Sequence, residues 1–238
     1  AQSLLEIWKP YIIGITGSMG KTSTKDFITS FCRGFYDFEA TYRSYNTQLT
    51  LPLTILNASR PSPYLILEMG MDQPGQLDKL INLAPPQLAV LTRLGHVHIE
   101  PFKTYDRLVM EKAKIFGHPL TEKGVYNADS SGTELFVEKG VQPKYSFSLK
   151  DESATYFLSK KDRKLELFIK GQHAFSFDNP LIDEGSLENL LAAIAVADQI
   201  KISHSHICNV MPHLKMPDCR IEWIEKEGVT FIDDSFNA

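Results

Sequence analysis

Tyr11-Ile-Ile-Gly-Ile15 is a short apolar run of the kind that fills a buried strand. It empties at once into Gly17-Ser-Met-Gly20-Lys21-Thr22 and then into helix-compatible sequence. A strand, a tight glycine turn and a helix in direct succession point to a parallel sheet wrapped by helices, because a strand that feeds a helix returns to the sheet through a crossover. The rhythm continues with an apolar run at Tyr64–Leu67, a helical pattern at Gln76–Leu83 and another run at Leu88–Leu94. Between Lys144 and Phe177 the runs shorten and alternate with a period near two, which predicts antiparallel strands. Helical periodicity returns at Leu187–Ile200 and near His204–Met211, and Val229–Ile232 reads as a last strand. The expected fold class is α/β, a mostly parallel P-loop sheet flanked by helices, with a small antiparallel β subsheet.

Composition narrows the function classes. The 238 residues are 43% hydrophobic, enough for one large domain with a substantial core. Lys and Arg total 25 against 29 Asp and Glu, and no basic stripe stands out, which argues against a nucleic-acid partner. Cys32, Cys208 and Cys219 are far apart and share no metal-ligand spacing, which fits reduced thiols in a cytoplasmic protein. No apolar run approaches the length of a membrane span, and residues 1–10 lack the pattern of a signal peptide.

The glycine turn carries the first chemical signal. Glycines let a backbone approach phosphate oxygens, the helix N-terminus supplies oriented N–H groups, Lys21 supplies a point charge and the Thr22 hydroxyl suits Mg2+. Thr16, Gly17, Ser18, Met19, Gly20, Lys21 and Thr22 are therefore the candidate nucleotide-binding residues. The strict phosphate-loop pattern asks for glycine at position 15, where this chain has Ile15.

Later strand ends add further candidates. The run Tyr64–Leu67 ends in Glu68, a hard oxygen ligand within reach of a metal at the first loop, although a solvated strand end has the same appearance. The next run leads into Gly95-His-Val-His98. Thr104 can cap a helix from Tyr105 to about Phe116, on which Leu108, Lys112, Ile115 and Phe116 share one stripe. Lys112 then points towards the core, where burial favours the neutral amine and opens it to reaction with carbon dioxide. The plainer alternative is a lysine that lays its stem along the core edge. Lys114 falls on another face and reads as exposed.

Taken together, these segments resemble the central domain of the Mur ligases over nearly the whole chain. The resemblance is carried by Ile15-Thr-Gly-Ser-Met-Gly-Lys-Thr22, Asn46-Thr-Gln-Leu-Thr-Leu-Pro52, Leu67-Glu-Met-Gly70 with Pro74-Gly75, Leu94-Gly-His-Val-His-Ile-Glu100, Lys112-Ala-Lys-Ile-Phe116, Asn189-Leu-Leu-Ala-Ala193, Arg220-Ile-Glu222 and Asp233-Asp-Ser-Phe-Asn-Ala238. It implies that Lys21 and Thr22 hold the ATP phosphates and a first Mg2+ whose shell Glu68 completes. It further implies a second Mg2+ on His98 and a carbamylated Lys112, Asn46 near the reacting substrate, and Asn189, Arg220 and Asp234 on the adenine, phosphates and ribose. The implied reaction turns the carboxylate of a UDP-MurNAc-peptide into an acyl phosphate that an amine, here D-Ala-D-Ala, converts to an amide.

Two departures touch the nucleotide contacts. Gly185-Ser186 stands where the family usually has His-Asn, and Cys219 where it has glycine. The family's N-terminal UDP-sugar domain and C-terminal amino-acid domain have no counterpart in residues 1–238, so this polypeptide alone is expected to bind ATP weakly or not at all and not to ligate. Other readings are a folylpolyglutamate synthase-like ligase, sharing Glu111–Phe116, a P-loop phosphotransferase that leaves His98, Lys112 and Asn46 without roles, and a non-catalytic nucleotide-binding module.

Overall fold

The computed structural model describes residues 1–59, 61–97, 99–161, 164–179, 183–214, 222–226 and 228–233. Helix α1 (Gln2–Trp8) precedes β1 (Tyr11–Thr16), the glycine turn and α2 (Lys21–Cys32). Next come β2 (Phe38–Ala40), α3 (Leu51–Leu56), β3 (Tyr64–Glu68), α4 (Gln76–Leu83) and β4 (Leu88–Leu91). Helix α5 (Tyr105–Ala113), prolonged by a 3-10 turn to Phe116, leads to β5 (Lys123–Asn127) and β6 (Lys144–Ser148). Strands β7 (Tyr156–Lys161), β8 (Lys164–Ile169) and β9 (Gln172–Asp178) are followed by α6 (Glu184–Gln199), α7 (His204–Val210), β10 (Glu222–Lys226) and β11 (Val229–Asp233).

One nine-stranded sheet runs β2-β3-β1-β4-β5-β6-β7-β8-β9, and β10 pairs with β11 in a separate antiparallel ribbon. The pairs from β2 through β7 are parallel, and β7-β8-β9 is antiparallel. The expected α/β class stands, with one change of direction. Residues 145–149 were expected to be antiparallel, yet β6 lies parallel to both β5 and β7. Period-two alternation reports which face of a strand is wet and is silent on its neighbour's direction.

Alternation along β1 divides the core. Ile13 and Ile15 face α2 and α6, packing with Phe27, Phe31 and the Leu190–Ala197 stretch. Ile12 faces the opposite layer, where Leu65, Leu67 and Leu91 meet α3, α4 and α5. Burying both faces is what makes these parallel strands read as continuous apolar runs. β1 sits between β3 and β4, so the chain leaves β1 towards one edge and β3 towards the other. That reversal opens a crevice at the strands' carboxyl ends. Strand β4 stops at Leu91, short of the expected Leu94, because the Arg93 carbonyl turns to the glycine loop and accepts from the N–H groups of Ser18 and Met19.

Candidate functional site

A cavity of about 660 Å³ lies in the crevice, bounded by the 17–22 loop, Asn46, Glu68, Gly70 and Lys112. Its floor is the turn into α2. Gly20 caps that helix at φ 83° with no side-chain cap bond, which leaves the first-turn N–H groups without a capping oxygen from that residue. Glycine is required at position 20 twice over: the left-handed backbone disfavours any side chain, and a Cβ would sit 2.0 Å from Asn189 Oδ1. Lys21 curls back over the loop, its Nζ donating to the carbonyls of Gly17 at 3.0 Å and Ser18 at 3.3 Å. Thr92 secures the turn from β4 by donating to Met19 O at 2.6 Å.

The carboxylate of Glu68 is 1% exposed and is held at both oxygens. Thr22 Oγ1 donates to Oε2 at 2.9 Å, and Asn46 Nδ2 donates to Oε1 at 2.7 Å. Residues from two other chain segments therefore converge on this carboxylate. Gly70 makes room for this, since a Cβ there would lie 2.7 Å from Asn46 Oδ1.

Lys112 reaches the loop from α5. Its side chain is 3% exposed and Nζ donates to Gly17 O at 3.1 Å, the carbonyl that Lys21 also uses. Burial first, and the positive charge of Lys21 second, depress its pKa from 10.5 to about 7. A substantial fraction of this amine is thus neutral near neutral pH. The expected Thr104 cap is present, accepting from Arg107 N at 3.3 Å. Lys114, by contrast, is a partly exposed surface cation bonded to Asp78 and Glu111.

The structure thus gathers Gly17 to Thr22, Asn46, Glu68 and Lys112. Thr16 is fully buried and contributes its carbonyl, which accepts from Thr92 N at 2.9 Å, rather than a wall of the cavity. Asn189 lies against Gly20 and Thr24 behind the loop instead of lining the cavity. Beside it, Glu188 is buried and takes hydrogen bonds from Arg93 Nε at 2.7 Å, Arg93 Nη2 and Asn127 Nδ2 at 3.1 Å, which fixes α6 to the ends of β4 and β5. His98, Arg220 and Asp234 lie outside the described residues. Among the described residues no three His, Cys, Asp or Glu side chains gather as a metal cluster. The donor set at the loop is instead one hydroxyl and one carboxylate, which suits Mg2+, an ion that takes few protein ligands and completes its shell with phosphate oxygens and water. Sequence reasoning missed Thr41 and Thr92, whose roles depend on contacts between distant segments, and gave Gly70 only as part of the Leu67–Gly70 segment without a role.

A glycine loop at the carboxyl end of β1, backed by a helix N-terminus and faced by a buried acid from the neighbouring strand β3, defines an α/β domain of the phosphate-loop architecture. Residues 15–197 match the Mur ligase middle domain, and the chain belongs to that family. Among its relatives is the UDP-N-acetylmuramoyl-tripeptide–D-alanyl-D-alanine ligase of Bacillus subtilis, 29% identical over 100% of this chain and 52% of the relative. The same-named protein of Mycobacterium bovis is 38% identical over 95% of this chain and 46% of its own length. The chain thus spans about half the length of the curated relatives it matches. The crystal structure of MurF from Thermotoga maritima in complex with ADP superimposes with a TM-score of 0.86, at 26% identity, over 100% of this chain and 56% of that one. One MurF structure from Acinetobacter baumannii gives a TM-score of 0.87 at 23% identity over 99% and 52%. Among the described residues no helix is long and apolar enough to cross a membrane.

Proposed function

We propose that this chain is the ATP-binding middle domain of a cytoplasmic bacterial ligase that joins a UDP-N-acetylmuramoyl-tripeptide to D-alanyl-D-alanine. The observation that carries the reading is the convergence of Thr22 and Asn46 on the two oxygens of Glu68, beside a buried lysine with a depressed pKa. A simple phosphotransferase loop needs Thr22 and Glu68 and has no use for Asn46 and Lys112 in the same cavity.

In this reading the peptide carboxylate oxygen forms a bond to the γ-phosphorus of ATP while the bond to the β-bridging oxygen breaks, leaving ADP and an acyl phosphate. The amine of D-Ala-D-Ala then adds to the acyl carbon, phosphate departs and the amine loses a proton. Lys21 would exchange its loop carbonyls for phosphate oxygens, and Thr22 with Glu68 would hold Mg2+, which supplies charge neutralisation during transfer. Neutral Lys112 would add to carbon dioxide, lose a proton and become a carbamate, an anionic oxygen ligand for a second Mg2+ shared with His98. Asn46 would lie beside the reacting carboxylate, and Asn189, Arg220 and Asp234 would serve the nucleotide. The UDP-sugar and incoming-amine sites would lie mostly outside residues 1–238.

The test is release of ADP and phosphate by the chain extended to the length of its relatives. Release that requires both the UDP-linked tripeptide and D-Ala-D-Ala, with amide formed in equal amount, is the expected result. Nucleotide hydrolysis indifferent to both would return the site to the phosphotransferase class.

A further inference from the structure

We propose that Lys25 is a positioning residue: it clamps the 41–46 segment so that Asn46 bears on Glu68, and so ties the phosphate-loop helix to the acid facing the cavity. Lys25 follows Lys21 by four residues and Thr22 by three, which places it on the same side of α2 one turn deeper. It does not enter the cavity. Its side chain is 3% exposed, and its ammonium meets Thr41 O at 3.0 Å, Arg43 O at 2.8 Å and Asp26 Oδ1 at 3.0 Å. Three N–H groups thus have three acceptors, the full complement of a lysine.

A buried cation is costly unless it is bonded in this way, so the arrangement calls for a structural reason. Neutralising Asp26 is a poor one, because that carboxylate is 36% exposed and can be hydrated. The segment that the other two bonds grip is a better one. Residues 41–46 form no helix or strand, and Arg43 takes a left-handed backbone at φ 47°. The segment is stitched to β3 and its end by four further contacts. Thr41 N donates to Ile66 O at 2.9 Å, Glu68 N to Thr41 Oγ1 at 2.9 Å, Gly70 N to Asn46 O at 2.8 Å, and Asn46 Nδ2 to Glu68 Oε1 at 2.7 Å.

Without Lys25, the carbonyls of Thr41 and Arg43 would converge on one buried point with no donor between them. The strained turn at Arg43 would relax and carry Asn46 with it. Glu68 would keep Thr22 on one oxygen and lose its partner on the other, freeing the carboxylate to rotate. The consequence for metal-dependent nucleotide binding rests on the function proposed above, whereas the clamp itself does not.

The experiment compares the wild type with Lys25→Met, which removes all three donors, and Lys25→Gln, which keeps two without the charge. Amide hydrogen exchange at Gly70, measured without nucleotide, reads the bond to Asn46. Exchange about tenfold faster in Lys25→Met and intermediate in Lys25→Gln, with the amides of β1 and β4 unchanged, is expected for the loss of one such bond. ATP affinity is then measured with and without Mg2+ on the chain extended to the length of its relatives. It should fall about tenfold in Lys25→Met when Mg2+ is present and stay level when it is absent, a split that general destabilisation would not produce.

Wild-type protection of Gly70 in the variants overturns the clamp. Faster exchange with undiminished Mg2+ enhancement overturns the coupling to the acid. If the wild type itself shows no Mg2+-dependent ATP binding, the proposed function fails and the exchange data alone decide the clamp. Should Lys25→Met not fold, Lys25→Gln carries the same comparisons.

Discussion

Replacing Lys112 with methionine should remove a specific pH dependence from folding stability. The native pKa is about 7 against 10.5 for an ordinary lysine, because burial disfavours the ammonium and Lys21 adds its positive charge. Between those two values the unfolded chain holds a proton that the native chain has released. Unfolding free energy therefore rises with pH across the window, and below about pH 7 the full penalty of a buried charge applies. That penalty corresponds to roughly 5 kcal/mol. Integrating the difference in bound protons from pH 6 to pH 9 leaves a gain of roughly 2.5 kcal/mol for the wild type. Methionine fills similar volume, has no proton to lose and forfeits only the bond to Gly17 O.

The assay is urea denaturation of both proteins at pH 6, 7.5 and 9 in buffer stripped of carbon dioxide. Subtracting one curve from the other cancels groups that titrate alike in both. The expected difference moves by roughly 2.5 kcal/mol in favour of the wild type as pH rises. A difference that stays level between pH 6 and pH 9 would refute the reasoning, since it would mean that Lys112 keeps its ordinary pKa and that the carbamate chemistry has no neutral amine to start from. At pH 7 about half of the native side chains would be neutral, against roughly one in three thousand for an ordinary lysine.

In the chain extended to the length of its relatives, Glu68→Gln should leave ATP binding without metal unchanged and remove most of its enhancement by Mg2+, read by calorimetric titration; retained enhancement would take Glu68 out of the metal's shell. Gly70→Ala pushes a Cβ to 2.7 Å from Asn46 and should displace that side chain while the sheet survives. The check is a crystal structure of the variant, in which an unmoved Asn46–Glu68 bond would contradict the prediction. Asp183→Ala removes the cap that accepts from Ser186 N at 2.8 Å and should cost about 1 kcal/mol in denaturant unfolding, without altering the phosphate loop.

Much of the sheet was legible because its strands are buried on both faces. Tyr11–Ile15, Tyr64–Leu67 and Leu88–Leu91 announce themselves as apolar runs, and the glycine turn fixes the order of strand, loop and helix. Elements with weaker signals were not anticipated. β2 is a three-residue edge strand with every residue half-buried, and α1 and α3 are too short for a periodicity to emerge. β5 hides because Lys123, Gly124 and Asn127 leave only two apolar residues in a row; the glycine is there because a Cβ would press to 2.8 Å from the Phe116 ring.

At the site, the legible part consisted of side chains whose chemistry is unusual for their position: Glu68 at the end of an apolar strand and Lys112 on a helix's core stripe. The illegible part is what holds them. Lys112 and Lys21 share the carbonyl of Gly17, Lys25 grips those of Thr41 and Arg43, and the glycine loop hangs from that of Arg93. Every residue type carries such a carbonyl, so nothing in the identities of Thr41, Arg43 or Arg93 marks them as acceptors. The supporting framework is visible only once the sheet has brought β1, β3 and β4 side by side. A close approach between distant segments does leave one trace in sequence, a glycine where no Cβ fits, and Gly20 beside Asn189 and Gly70 beside Asn46 are where this chain shows it.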